Sequence, residues 1–246
     1  PIDIIDKFGA DALRYTLSLM AAQGRDIKLS EGNVKINRNF ITKIRNAYNF
    51  LNKNGCFEIS KITDSYFNNK INVWILKLLN NYINSITHNI ENYKFNEATK
   101  DIYKFTKNIF CDWYLEFIKI YLNSENNESI KKEIKICASM VFENILKLAH
   151  PFMPFMTDDI YVNHLNNKNF IMQEEWPSDI SFNFIEKSFN EVEGIIDVIT
   201  ACRNIKASLK VEPRNIIEIF YNVDNAVIKN NYILINTLGR IKLTQV

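Results

Sequence analysis

The chain has 246 residues, of which 47% are apolar and 24% are charged, and its formal net charge is +2. This composition predicts a globular chain of one large domain or two modest ones and excludes an intrinsically disordered protein. The longest apolar runs are only a few residues, which excludes a membrane-spanning helix, so we expect a cytoplasmic protein. Only six glycines and five prolines are present, which disfavours a fold built on glycine-rich phosphate loops.

The N-terminal third of the chain is predicted to be helical. Residues 8–22 place apolar side chains at helical spacing, and they predict a short helix. The following segment, 24–33, is typical of a connector in which Ser30 or Asn33 caps the next helix. A long amphipathic helix is then predicted from Val34 to Leu51. Its buried face is expected to consist of Phe40, Ile44, Ala47 and Leu51.

Three further apolar stripes at helical period predict long helices over 71–90, 96–122 and 129–149. The last of these helices should stop before Pro151, with His150 making a favourable contact with the helix dipole. Four helices of this length can enclose one hydrophobic core. The sequence therefore predicts a helical bundle.

The segments after the bundle are shorter. Thr157 and the two aspartates after it predict the capped start of a short helix through His164, and 166–183 is typical of a loop. The pattern then predicts a helix over 185–210 and a strand in IIEIFYNV. A helix over 225–238 and a final strand in RIKLTQV complete a small α+β module.

No catalytic or metal-binding cluster is evident in the sequence. The four cysteines have no CxxC pairing and lie in apolar or helical segments, which predicts reduced core thiols. The three histidines are scattered among unrelated segments, without carboxylates at a catalytic spacing. Cys111 with Asp112 and Glu116 could suggest a reactive thiol, but core packing of this segment is the favoured interpretation. The residues considered are Cys56, Cys111, Cys137, Cys202, His88, His150 and His164.

One stretch of the chain is locally basic. No acidic residue occurs from Gly32 to Phe57. A helical face that carries arginine and asparagine without acids offers groups that bind RNA phosphates and unstacked bases. Arginine and asparagine can each make paired contacts with a base edge, whereas lysine contributes mainly charge. A merely solvated face is the alternative. The cations of this stretch are Lys35, Arg38, Lys43, Arg45 and Lys53.

Six segments occur in an order that closely resembles the valyl-tRNA synthetase family. They are PIDIIDKFGADALRYTL, AAQGRDIKLSEGN, RNFITKIRNAYNF, FNEATKDIYKFTKNIFCDWYLE, HPFMPFMTDDIY and IMQEEWP. The resemblance covers essentially the whole chain and begins just downstream of where the KMSKS loop of the family would lie. It implies a C-terminal piece of a longer enzyme, without the catalytic and editing domains.

The resemblance also implies a domain organisation and a fold. Residues 1–33 would be a linker helix and connector to the catalytic domain, 34–184 the helical-bundle anticodon-binding domain of a class I synthetase, and 185–246 a small α+β module of helix, strand, helix and strand. The expected fold class is thus mainly α.

The implied function is recognition of a tRNA anticodon by an enzyme that ligates valine to its tRNA using ATP. ATP and magnesium are implied for the full-length enzyme and no cofactor for this chain. The expected partners are a tRNA with a valine anticodon and the catalytic domain of the same polypeptide, in a monomer that does not bind membranes. The candidate RNA-binding residues are Arg38, Lys43, Arg45, Asn46, Asn49, Phe50 and Lys53.

Several alternatives stay open at this point. The chain could belong to an isoleucyl- or leucyl-type synthetase, it could be a helical protein-interaction module, or it could be an enzyme in its own right, which the lack of a titratable cluster disfavours. Arg14 and Asp26 are candidates for contact with the catalytic domain or with the inner side of the tRNA, and local salt bridges are the alternative for both.

Overall fold

The computed structural model describes residues 1–22, 26–58, 67–123, 128–165, 169–183, 185–222 and 225–246. Parts of the predicted connectors around residues 24, 60 and 125, and the first residues of the loop predicted over 166–183, lie outside these ranges.

The helices that precede residue 185 are α1 (Ile2–Phe8), α2 (Ala10–Met20), α3 (Glu31–Lys53), α4 (Lys70–Glu91), α5 (Phe95–Tyr103), π1 (Lys104–Tyr114), α6 (Leu115–Asn123), α7 (Glu128–Ala149), α8 (Pro154–Asp158) and π2 (Asp159–His164), followed by a 3₁₀ turn, Ile171–Gln173.

Helix α3 is held against the bundle along the apolar face that the sequence predicts. Ser30 caps the helix, because its side chain accepts a hydrogen bond from the backbone N–H of Asn33. The predicted apolar residues are all buried. The buried amide of Asn37 also donates to Thr16 Oγ1 at 2.8 Å, which fixes α3 against α2. The outer face of α3 is left to solvent.

Helices α4, π1 and α7 share the centre of the core. Asn72 is fully buried, donates to the Glu133 carboxylate at 2.9 Å and accepts from the Tyr114 hydroxyl at 2.9 Å. Such a satisfied polar network fixes the relative positions of three helices. The predicted helix over 96–122 is therefore one continuous helical rod, but its middle third, π1, has wider π-helical turns. Periodicity alone does not distinguish this variant from an α-helix.

The helix that the sequence predicts after the HPFMPF segment begins inside that segment. It starts at Pro154, and Thr157 is buried inside it, where its hydroxyl donates to the carbonyl of Met153 at 2.8 Å. The cap predicted at Thr157 is wrong. Asp11 of α2 takes that role, because its carboxylate accepts from the backbone N–H groups of Phe155 and Met156 at 3.2 and 2.7 Å.

Helix α7 ends at Ala149, as predicted from Pro151. His150 is half-buried, and its Nδ1 lies 2.8 Å from Thr157 Oγ1. Burial lowers the pKa of His150, although the carboxylates of Asp158 and Asp11 oppose this shift. The neutral imidazole is therefore favoured in the folded state. The contact of His150 with the helix dipole stays a prediction.

The C-terminal residues form α9 (Glu186–Ser208), β1 (Ile217–Tyr221), α10 (Ala226–Asn230), α11 (Tyr232–Gly239) and β2 (Ile241–Gln245). The two strands pair in parallel, with Ile217 opposite Ile241. The helix predicted over 225–238 is thus two helices, which meet at Asn231. None of the described helices is both long enough and apolar enough to cross a membrane.

Helix α9 packs against α4 of the bundle. Val192, Ile195 and Ile199 are fully buried and belong to the same core cluster as the bundle residues. The Lys70 ammonium group binds the Glu191 carboxylate at 2.7 Å. The division of the chain at residue 185 stays a prediction, and α9 gives the module a hydrophobic attachment to the bundle.

A candidate RNA-binding face on helix α3

The outer face of α3 carries a continuous row of exposed polar residues. We define the α3 strip as the exposed residues Lys35, Arg38, Asn46, Asn49 and Lys53. At about 1.5 Å per residue, the part of the strip between Arg38 and Lys53 is roughly 22 Å long. The strip combines positive charge with amide donors and acceptors, and α3 carries no carboxylate after its first residue, Glu31.

Two ion pairs border the strip, one along each margin. On one side the Lys43 ammonium group lies 2.7 Å from the Asp112 carboxylate of π1, which also lies 3.4 Å from Lys107. On the other side the Arg45 guanidinium donates to the Asp159 carboxylate of π2 at 2.8 Å. Lys43 and Arg45 project roughly 160° apart around the helix, at about 100° per residue. The margins are therefore partly neutralised, whereas the strip between them keeps a net positive charge.

The pairs on the margins are accessible. The side chains of Lys43 and Arg45 are 42% and 43% exposed, and both aspartates are 38% exposed. Exposed ion pairs of this kind contribute only about 0.2–1 kcal/mol each. The hydrogen bond that Lys43 donates to the Asp112 carboxylate raises the pKa of Lys43, so its charge is retained. An RNA phosphate could replace either aspartate at low cost.

Beside Asp112, Cys111 is buried and burial raises its pKa to about 12. A thiol with such a pKa stays protonated and is not a nucleophile. The structure thus agrees with core packing for this segment. Among the described residues, no group of three or more His, Cys, Asp or Glu side chains could hold a metal ion.

Phe50 lies at the C-terminal end of the strip, near a cation from another helix. The Lys119 ammonium group of α6 lies 5.5 Å from the centroid of the Phe50 ring. Lys119 is also paired with Glu116, one turn earlier on α6. The aromatic ring is half-buried and packs against the core. Lys119 places a positive charge beside this end of the strip.

Arg14 and Asp26 lie outside α3. Arg14 lies on α2, is exposed, and donates to the backbone carbonyl of Pro151 at 3.2 Å. This contact joins α2 to the segment between α7 and α8. Asp26 is exposed in the connector before α3. A role of either residue in contact with RNA or with another domain stays a prediction.

The sequence patterns do not identify the partners of Lys43 and Arg45, which are Asp112 and Asp159, or the position of Lys119 beside Phe50. Asp112 and Asp159 lie 69 and 114 positions from their partners on α3. No local spacing links these residues. A charge count along α3 alone therefore overstates the free positive charge of this face.

Comparison with known proteins identifies relatives of the chain. The family model for the anticodon-binding domain of tRNA ligase matches residues 72–221. The valine–tRNA ligase of Pelagibacter ubique is 42% identical over 98% of the chain, which covers 28% of that protein. The valine–tRNA ligase of Rhizobium meliloti is 38% identical over 87% of the chain and 23% of that protein. The chain thus spans about a quarter of the length of these relatives.

A solved structure shows a similar fold. The LeuRS of Agrobacterium radiobacter K84, in a ternary complex with tRNA and LeuAMS, superposes with a TM-score of 0.58 at 18% identity, over 77% of this chain and 21% of that one. This likeness shows only that the chain shares the fold of the matched part of that protein. The family model matches residues 72–221, which is more than half of the chain. The chain therefore belongs to the family of anticodon-binding domains of tRNA ligases.

Proposed function

We propose that the chain is the part of a valine–tRNA ligase that binds the anticodon loop of its tRNA, with the α3 strip as the recognition surface. The observation that carries this proposal is the strip itself: a rigid, capped helix presents exposed arginine and asparagine side chains between two replaceable ion pairs. The two valine–tRNA ligase relatives support the choice of valine.

The chemistry of the strip suits unpaired bases. The Arg38 guanidinium can donate two parallel hydrogen bonds to a base edge or to a phosphate. The amides of Asn46 and Asn49 each offer a donor and an acceptor, which an unstacked base can match. Lys35 and Lys53 attract the backbone without reading sequence. Discrimination would therefore come from the centre of the strip, with general affinity from its ends.

The two ion pairs on the margins of the strip would open when RNA binds. A phosphate close to Lys43 or Arg45 would compete with Asp112 or Asp159 for the same donors. Because these carboxylates are partly solvated, they can turn to water when displaced. The pairs would also keep both cations in place before RNA arrives, which lowers the entropy cost of binding.

Several wider features belong to this proposal. The aminoacylation reaction, with its ATP and magnesium, would take place in another domain of the same polypeptide, and the binding role described for this chain uses neither. The chain would need no cofactor of its own. We expect a cytoplasmic monomer, as for a component of translation that does not bind membranes.

A titration of the chain with tRNA tests the proposal. The chain should bind a tRNA with a valine anticodon more tightly than a transcript with one anticodon base changed. Each lost base contact should weaken binding by about 1–3 kcal/mol. Equal affinity for both transcripts at moderate salt would reject base reading. Preference for an isoleucine or leucine anticodon would assign the chain to the sister enzymes.

A further inference from the structure

A second cationic surface lies on α6, α9 and α11. Two adjoining cavities, of about 450 and 580 Å³, lie between α6, α9 and α11 and share Arg203, Leu238 and Arg240 as lining residues. We call them together the α6–α9–α11 cleft. Its charged lining residues are Lys119, Arg203, Lys206, Arg240 and Glu116, so four cations face one carboxylate.

The arginine at the centre of the cleft is held in a fixed orientation. The Arg203 guanidinium stacks on the Trp113 ring, 4.8 Å from its centroid, and donates to the carbonyl of Leu238 at 3.1 Å. Among the described residues, this is the one hydrogen bond of its five N–H donors, and the other donors face the cleft for a ligand. A planar guanidinium fixed in this way binds a phosphate with little further loss of side-chain entropy.

A buried charge lies in the wall of the cleft. Lys206 is 3% exposed, and its ammonium group donates to the carbonyls of Pro213, Asn215 and Arg240 at 3.1, 2.6 and 3.2 Å. Within the described part of the chain, no carboxylate forms an ion pair with it. The three carbonyls satisfy its hydrogen bonds but do not cancel its charge. A buried, uncompensated cation raises the positive potential of the cavity beside it.

The cleft is connected to the α3 strip. Lys119 lines the cleft and also lies over the ring of Phe50, at the end of the strip that carries Lys53. The cationic surface therefore runs from α3 across α6 to α9 and α11. Glu116 neutralises Lys119 in part, so Arg203 and Arg240 dominate the field inside the cleft.

We propose that the α6–α9–α11 cleft binds backbone phosphodiester groups of the same RNA whose loop meets the α3 strip. This inference rests on the proposed function, because the RNA is the ligand in both cases. The cleft would add affinity that does not depend on base identity, since phosphates carry no sequence information. Arg240, which is exposed at the end of α11, would be the most accessible phosphate contact.

The test measures RNA affinity at several salt concentrations for the chain and for two variants. Arg240→Gln removes a cleft charge, and Lys187→Gln removes an exposed charge elsewhere on α9, away from the cleft. Each is titrated with the valine-anticodon transcript and with the transcript changed at one base. Thermal unfolding confirms that both variants are folded.

We expect Arg240→Gln to weaken both transcripts by the same factor, about five- to tenfold, and to reduce the slope of log Kd against log salt by about 0.7–1. Lys187→Gln should leave this slope unchanged. A slope for Arg240→Gln equal to that of Lys187→Gln would overturn the proposal, as would a loss confined to one transcript.

The two proposals fail in different ways. If the unmodified chain does not distinguish the transcripts but Arg240→Gln still lowers the salt slope, anticodon reading fails and the phosphate site stands. If discrimination is present and Arg240→Gln behaves like Lys187→Gln, the cleft fails and the α3 strip stands. Arg203→Gln repeats the test at the stacked arginine and should lower the slope in the same way.

Discussion

Asp159 holds the Arg45 guanidinium at 2.8 Å, so an RNA group that binds Arg45 must compete with a carboxylate. Exposed pairs of this kind are worth about 0.2–1 kcal/mol. We predict that Asp159→Asn raises RNA affinity by about 1.4- to fivefold at low salt, which is that energy expressed as a ratio. Arg45→Ala should act in the opposite direction and weaken binding.

A charge-matched control separates this effect from a general change in net charge. Asp197→Asn removes an exposed carboxylate of α9 and should change affinity less than Asp159→Asn does. Filter binding at two salt concentrations gives the three ratios. Equal gains for the two Asn variants would show that Asp159 does not compete for Arg45.

His150 provides a second test at the residue scale, through pH. Burial lowers the pKa of His150 from the ordinary value of 6.5, so the neutral imidazole is more stable than the charged form in the folded state. Its contribution to stability is therefore fully present above pH 6.5 and is lost as the pH falls through the lower pKa of the folded state.

We predict that the difference in unfolding free energy between the unmodified chain and His150→Gln is largest above pH 6.5 and shrinks below it. Urea denaturation at a series of pH values between about 8 and 5 measures the difference. A difference that grows as the pH falls would contradict the lowered pKa.

At the scale of elements, α3 must stay rigid for its side chains to keep their spacing. Ser30 caps the helix through a 3.3 Å hydrogen bond from the Asn33 N–H group. Loss of such a cap typically costs about 1 kcal/mol, within a range of roughly 0.5–2. We predict that Ser30→Ala lowers the unfolding free energy by this amount.

Ser18→Ala is the matched control for the cap. Ser18 is within α2, and its hydroxyl donates to the carbonyl of Arg14 one turn earlier. Its replacement should change stability by no more than about 0.5 kcal/mol. If both variants lost the same free energy in urea denaturation, Ser30 would not be acting as a cap.

The elements also show what sequence patterns can and cannot predict. The apolar stripes identify the long helices and the buried face of α3, because a helix buries residues at its own period. The start of α8 escapes prediction because its cap, Asp11, lies on α2. The acids beside the α3 strip also escape prediction, because only the folded chain brings Asp112 to Lys43 and Asp159 to Arg45. The exposed centre of the strip, in contrast, is visible in the sequence.

At the scale of the whole molecule, α9 joins the C-terminal module to the bundle through a shared core. Ile195 is fully buried in that core. We predict that Ile195→Ala lowers the unfolding free energy by about 2–5 kcal/mol, the usual cost of deleting a buried isoleucine side chain. The bundle and the module should unfold in one transition.

Two probes check this cooperativity. Tryptophan fluorescence reports on Trp74, Trp113 and Trp176, all of which precede the module, and far-UV circular dichroism reports on the whole chain. The two unfolding curves should coincide for the unmodified chain and for Ile195→Ala. Separate midpoints would show that the module unfolds independently of the bundle.

Base reading by α3 is measured most directly as a ratio of two affinities, one for the valine-anticodon transcript and one for a transcript with one anticodon base changed. This ratio is determined before and after removal of the central polar groups of α3. The variant combines Arg38→Gln, Asn46→Ala and Asn49→Ala, and Lys187→Gln serves as the control. We expect a ratio well above one for the unmodified chain and for the control, and a ratio close to one for the combined variant. If the combined variant bound more weakly but kept the full ratio, the anticodon would be read elsewhere and not by α3.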